Sequence, residues 1–322
     1  MPRFSFCYNV YQEEEYIEYS LRSIYDFADE VIICYGPIDV MAEIGQPDAT
    51  LDLIRCFPDP GKKIKHIIVR DRWRSLVQMR NVALSKATGD YMWIIDGDEV
   101  YSDESLDIIR KEISNFPDVM TFFVPCHLFW QDFHTTLGIF SFERIHKIYP
   151  GCVIIPGSNS MATAWGKPYR RISYVDLGEK YDCLFWHYSY VRSDEYMQLK
   201  QEYFAKRRDN YGATRGIHNW YENVWLASRT DIKSVMEKYG GLHLVTPSLE
   251  SRIYKYAGEH PPVMTNHPYR RYDYTQAWNV PVLEWHRNHN KGYLSIRQES
   301  LNWKMKLWEY LQFLNTCLKH RR

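Results

Sequence analysis

Twenty residues, Arg80 to Glu99, constrain this chain more than any others. They read as a helix, a tight turn, a buried strand and then three acids. Gly89 after Lys86-Ala87-Thr88 is a helix stop. Tyr91-Met92-Trp93-Ile94-Ile95 is a continuous apolar run bounded by polar residues, the pattern of a strand covered on both faces. Asp96 and Asp98 then emerge at its carboxyl end, the edge at which open α/β sheets bind ligands. Two carboxylates one residue apart repel unless a cation or donor sits between them. Hard divalent cations such as Mg²⁺ and Mn²⁺ suit carboxylate oxygens and bind through a few of them plus substrate phosphates. The plain alternative is a solvated D-G turn capping the strand. The buried strand, with Arg80 upstream as a phosphate partner, favours a metal–diphosphate site.

The surrounding pattern supports that placement. Strands are expected near 4–9, 30–35, 64–69 and 91–95, and helices near 13–27, 48–57, 73–87 and 103–114. Such alternation argues for a parallel sheet with right-handed crossovers. Ser102 before Asp103-Glu104 is a helix start. Residues 119–190 change character: 120–124, 138–142, 152–155 and 184–186 read as strands punctuated by glycine. From Ser193 the pattern turns helical, with helices expected from 193 to about 208, at 218–228 and at 230–239. Residues 242–293 are irregular. A last helix at about 295–318 aligns Leu301, Met305, Trp308, Leu311, Leu314 and Leu318. The expected division is 1–192 (1–100 for the donor, 101–192 for the acceptor) and a helical region over 193–322.

Formal net charge is +0, so no global field recruits nucleic acid. Aromatic residues make up 16%; their rings suit sugars and bases, although ordinary core packing accounts for most of them. The loop Leu128–His134 is expected to line an acceptor groove or to pack the core. The 7 cysteines form no C-x-x-C pair, and Cys7, Cys34, Cys126 and Cys183 read as reduced core thiols. Neither a signal peptide nor a membrane-length apolar run is visible, so a cytoplasmic protein is expected.

Asp96-Gly97-Asp98 resembles the D-x-D motif of GT-A glycosyltransferases of the family 2 type. Arg80-Asn81-x-Ala83-x-x-x-Ala87-x-Gly89-Asp90-Tyr91 is similar to the segment that precedes it. Gln12 to Ile24 resembles the family's N-E-E-x-x-I-x-x-x-L-x-S-I, and Trp186-His187-Tyr188-Ser189-Tyr190-Val191-Arg192-Ser193 its closing H-Y-S-Y signature. The likeness covers roughly residues 4 to 205. It implies a Rossmann-like, mainly parallel sheet flanked by helices, with a mostly helical carboxy-terminal extension. It also implies transfer of a sugar from a UDP- or GDP-sugar to a glycan or other hydroxyl acceptor, with Mn²⁺ or Mg²⁺ as cofactor.

By that resemblance Asp98 holds the metal, Asp96 holds the ribose or the metal, and His187 is a third metal contact. Arg80 forks onto the diphosphate. Tyr8, Asn9, Asp39 and Asp71 take base and ribose contacts at strand ends. Glu14 stands at the family's second glutamate, although Glu13-Glu14-Glu15 also complement a helix dipole. The chain departs from the family pattern at Gln12, usually Asn, and at Cys34, where many relatives carry an Asp that reads the nucleobase. An inverting displacement needs a carboxylate base. Glu143 in an apolar strand is the first candidate, Asp176 the second, and Asp132, Glu179 and Asp182 are further ones.

Two other classes compete. A nucleotidyltransferase shares the fold type, but residues 8–15 lack the glycine and lysine of a triphosphate loop. A non-catalytic carbohydrate-binding descendant would not need both acids and His187. The last helix is expected to pack on protein, within the chain or in a homodimer, with a peripheral membrane contact as the alternative.

Overall fold

The computed structural model describes residues 1–154, 161–163, 172–206, 219–242, 253–274 and 294–299. Its first half alternates strand and helix: β1 Phe4–Val10, α1 Ile17–Ile24, β2 Glu30–Tyr35, α2 Met41–Ile44, α3 Thr50–Cys56, β3 Ile64–Val69, α4 Leu76–Leu84 and β4 Tyr91–Ile95. A two-residue strand, β5 Glu99–Val100, precedes α5 Asp103–Asn115 and the long hairpin β6 Thr121–Trp130 and β7 Thr135–Lys147. Then come β8 Cys152–Ile154, β9 Met161–Thr163, β10 Ile172–Asp176, β11 Phe185–Tyr190 and α6 Asp194–Lys206. A π-helical turn Tyr221–Leu226 runs into α7 Ala227–Tyr239, followed by β12 Tyr254–Lys255, two 3-10 turns and β13 Arg297–Glu299.

The main sheet runs β13-β10-β6-β7-β4-β1-β2-β3, with β11 beside β5 and β6. β3, β2, β1 and β4 are mutually parallel. β7 joins them antiparallel to β4. The chain steps outward from β1 through β2 to β3, then returns to β1's other side as β4. The topological switch point therefore lies between β1 and β4, where open sheets leave a crevice at their carboxyl ends.

Side-chain alternation divides the core in two. Phe4, Phe6 and Tyr8 of β1, Val31 and Ile33 of β2 and Trp93 and Ile95 of β4 face one cluster, which α1 covers with Ile17, Leu21 and Ile24 and α5 with Leu106, Ile109 and Ile113. Cys7, Ile32, Cys34, Met92 and Ile94 face the other, covered from α4 by Met79, Ala83 and Leu84. This double coverage is why the strands are continuous apolar runs. Trp93 stacks on Phe6 with ring centroids 4.8 Å apart. Cys7, Cys34, Cys126 and Cys183 are buried free thiols. A Cβ at Gly89 would lie 2.7 Å from Ser5 Oγ and 2.9 Å from the Arg3 carbonyl oxygen, so the turn into β4 closes on β1 only without a side chain.

Three expectations resolve as follows. The aromatic loop packs inward: Phe129, Trp130 and Phe133 are fully buried, and Trp130 joins Trp220 and Trp225 in a cluster under the helical region. The two helices expected at 218–228 and 230–239 follow one another directly, separated by the non-helical backbone of Asp231 (φ −146°, ψ 83°). The last helix does not begin at 295, because residues 297–299 pair antiparallel with β10; sheet-edge hydrogen bonds override a helical pattern there. Residues 300–322, with the rest of that helix, lie outside the described residues. Among the described residues no helix is long and apolar enough to cross a membrane.

Candidate active site

Asp96 leaves the end of β4, and the Glu99 amide donates to the Asp96 carbonyl at 3.1 Å, turning the chain back at once. β5 then pairs antiparallel with β11, placing Glu99 directly across from His187. The Tyr188 amide donates to the Asp98 carbonyl at 3.0 Å, which ties the acidic turn to β11. On the other side Ser20 Oγ donates to the Glu99 carbonyl at 2.6 Å and exchanges a 3.0 Å hydrogen bond with the Tyr8 hydroxyl. The turn is thus held from both flanks by partners more than 70 residues away in sequence.

Gly97 has a specific role. A Cβ there would lie 2.7–3.0 Å from the side-chain carbons of Glu13. Its backbone is not in the left-handed region. The middle position of Asp96-Gly97-Asp98 is therefore glycine because the first βα segment lies directly over it.

The acids meet two buried arginines. Arg144 of β7 donates to Asp96 Oδ2 at 2.9 Å and also bonds Glu99. Arg192, just past β11, donates to Asp98 Oδ2 at 2.8 Å, bonds Glu13 and lies 3.6 Å from Glu15. Its guanidinium also sits over the rings of Tyr16 and Tyr196, at 4.7 and 4.5 Å. His187 Nε2 is 3.2 Å from Asp98 Oδ1. The imidazole packs edge-on against Phe142 at 5.8 Å.

Five carboxyls, Glu13, Glu15, Asp96, Asp98 and Glu99, thus face two arginines and one histidine. Burial pushes Glu13 up to about 8 although Arg192 pulls it down. Burial likewise pushes Glu99 up to about 7 against the pull of Arg144. Burial opposes ionisation of Asp98 too, but His187 and Arg192 outweigh it and hold that carboxyl well below the usual range. Asp98 in turn raises His187 despite its burial. One guanidinium cannot neutralise three acids, so Asp98 takes the charge and Glu13 tends to keep its proton.

The unmet groups point the same way. Glu99 Oε2 and His187 Nδ1 are buried without a hydrogen-bond partner. Among the described residues Asp96, Glu99 and His187 offer ligand atoms within 4.8 Å of one another. Carboxyls in excess of cations, together with an oxygen and nitrogen donor set, fit a divalent cation.

The other residues singled out in the sequence scatter. Tyr8 is fully buried with its hydroxyl on Ser20, so it braces the turn and offers no face to a nucleoside. Asn9, at the carboxyl end of β1, has both amide atoms buried and without a partner. Glu14 is exposed and accepts from the Ala49 amide at 2.8 Å; it caps the start of α3 and does not reach the acids. Glu13 and Glu15, its neighbours, make the contact with Arg192, so simple dipole complementation does not describe any of the three. Asp39 is half-buried in a left-handed turn (φ 44°), and Asp71 is exposed. Arg80 is buried on α4, where its charge lowers His146 after burial has done so; it is not a solvated helix charge. Glu143 is half-buried opposite Phe123, and its neighbour Arg144 pairs with Asp96 and Glu99 instead of with it. Asp176 accepts from Ser141 Oγ and the Gly178 amide, each at 2.8 Å, capping a 3-10 turn.

Sequence reasoning missed Glu99, Arg144 and Arg192. Glu99 and Arg192 stood inside quoted motifs, so adjacency to the acids and to H-Y-S-Y was an available signal. Nothing local marks Arg144, whose partners lie 45 and 48 residues away.

No curated protein matches the chain. Several solved structures resemble it at low similarity. S. aureus TarS is 22% identical over 40% of this chain and 21% of its own, with a TM-score of 0.27. The Pyrobaculum calidifontis mannosyltransferase PcManGT, in complex with GDP-Man and Mn²⁺, is 19% identical over 45% of this chain and 44% of its own (TM-score 0.33). Glucosyl-3-phosphoglycerate synthase from Mycobacterium tuberculosis, in complex with Mn²⁺, UDP and phosphoglyceric acid, is 16% identical over 40% of this chain and 44% of its own (TM-score 0.28). The chain spans about a fifth of the length of TarS and under half of the other two, and these TM-scores are too low for the likenesses to carry an argument. The sequence family is more decisive: residues 5–164, just under half of the chain, match the model of glycosyl transferase family 2. That segment, which contains β1 to β4, the acidic turn and Arg144, is similar to glycosyl transferase family 2.

Proposed function

We propose that the chain moves a sugar from a nucleotide-diphosphate donor to an acceptor hydroxyl with the help of Mn²⁺ or Mg²⁺. The observation that carries the reading is the buried acid excess at the switch point, with Glu99 Oε2 and His187 Nδ1 unsatisfied inside it. His187 with Asp98 and Asp96 would hold the ion, with Glu99 within reach of it. When bound, such an ion neutralises charge developing on a diphosphate leaving group.

The chain's own groups would do the rest. Asn9 has a free amide at the end of β1, next to the strand that delivers Asp96, and suits a hydrogen bond to the nucleoside. Arg144 fixes the orientation of Asp96 from below. Phe142, half-buried against His187, offers an apolar wall on the acceptor side. A direct, inverting displacement is the chemistry we assign, with a carboxylate as base. Glu143 and Asp176 remain its candidates.

A donor screen tests the reading. UDP- and GDP-sugars are incubated with Mn²⁺, with and without EDTA, and nucleotide release is measured alongside the anomeric configuration of any transferred sugar. Metal-dependent release and an inverted product are expected. Turnover that survives EDTA, or a retained anomer, would overturn it.

A further inference from the structure

The residue that stands out is Arg192, which no motif role explains. Its side chain is fully buried. It joins acids from two distant segments: Glu13 and Glu15 before α1, and Asp98 in the acidic turn. The spacing on Asp98 is informative. Arg192 takes Oδ2 at 2.8 Å, while Oδ1 is left facing His187 Nε2 at 3.2 Å. Arg192 therefore fixes one oxygen of Asp98 and leaves the other beside the histidine.

We propose that Arg192 is a positioning residue for the metal ligand Asp98. It is itself aimed by Glu13 and Glu15, with Gly97 providing the close seat for Glu13. This rests on the metal-dependent reading above. A planar guanidinium suits the task because its fixed fork can hold Asp98 and Glu13 at once, which a single ammonium cannot do in the same geometry. Outer partners that orient a metal ligand change metal affinity by about 10–100-fold when removed.

The sign of the effect separates this role from its rival. If Arg192 were only a counter-ion competing with the metal for Asp98, removing it would tighten metal binding. If it positions the carboxylate, removing it weakens binding.

Mn²⁺ affinity is therefore measured by calorimetry on the full chain, with the wild type, Asp98→Asn, Arg192→Met and Arg192→Lys. Circular dichroism below each melting transition verifies that the variants are folded. Arg192→Met should raise the Mn²⁺ Kd about 10–100-fold, and Arg192→Lys should recover part of that loss. An unchanged or lower Kd in folded Arg192→Met overturns the proposal. Where Arg192→Met does not fold, Arg192→Lys keeps the buried cation and decides alone: a several-fold weaker Kd supports the proposal and a wild-type Kd overturns it. No Mn²⁺ binding by the wild type would sink the underlying metal reading. Loss of binding in Asp98→Asn alongside a wild-type Arg192→Met would sink only this inference.

Discussion

The parallel half of the sheet and the turn at its edge are built in opposite ways. β1, β2 and β4 bury apolar side chains on both faces, and packing dominates there beside a few hydrogen bonds such as Tyr8–Ser20 and Trp93–Tyr101. The acidic turn a few ångströms beyond the end of β4 buries charge, and each of its carboxyls is answered by a cation delivered from elsewhere in the chain. The first region stabilises the fold and tolerates changes of similar volume. The second gains little net stability from its ion pairs, because desolvation offsets most of the attraction. Its arrangement is better explained by a ligand than by folding.

That contrast predicts that the two regions fail differently. Asp98→Asn should remove several kcal/mol of transition-state stabilisation, seen as a drop of at least a thousandfold in Mn²⁺-dependent kcat. The fold should survive, since the Asn carbonyl can still accept from Arg192 and Glu13 and Glu15 still neutralise it. Near-normal turnover would erase the distinction between the regions. Trp93→Ala should do the reverse, costing about 3–5 kcal/mol of stability in denaturant unfolding while the surviving folded fraction keeps its Mn²⁺ affinity. His187→Ala should weaken Mn²⁺ binding roughly 10–100-fold by calorimetry if the imidazole contacts or supports the ion. An unchanged affinity would return His187 to simple packing against Phe142.

The smallest effect is on pH dependence. Glu99 and Glu13 sit above the carboxylate value of 4.5, at about 7 and about 8. The folded metal-free protein therefore holds protons that the unfolded chain has released. The stability this confers is complete below about pH 4.5 and is lost as the pH rises toward 8. A cation that displaces those protons should bind better as the pH rises. The Mn²⁺-induced rise in Tm should accordingly be larger at pH 8 than at pH 6. An equal rise at both would mean that release of these protons is not linked to the ion.

Much of the fold was legible in residue order. The expected strands at 4–9, 30–35, 64–69 and 91–95 match β1 to β4 almost to the residue: β1, β2 and β4 are doubly covered and so continuously apolar, while edge strand β3 is half-exposed and alternates. The acids on β4 and the histidine of β11 were visible for a related reason: their types and spacing stand out against apolar neighbours. The two-residue strand that sets Glu99 across from His187 was not visible, since no pattern can be read in two residues.

The sequence by itself determined that a buried strand would carry Asp96 and Asp98 to a sheet edge. It also marked His187, through the likeness of its segment to an H-Y-S-Y signature. Only the tertiary structure decided which cations answer the acids. Arg144 and Arg192 reach Asp96, Glu99 and Asp98 across 45 to 94 residues of chain. It also decided that Arg80, a phosphate partner by position, would be buried with its charge acting on His146. The reason is physical: periodicity encodes which face of an element is covered, whereas ion pairing depends on where separate elements meet.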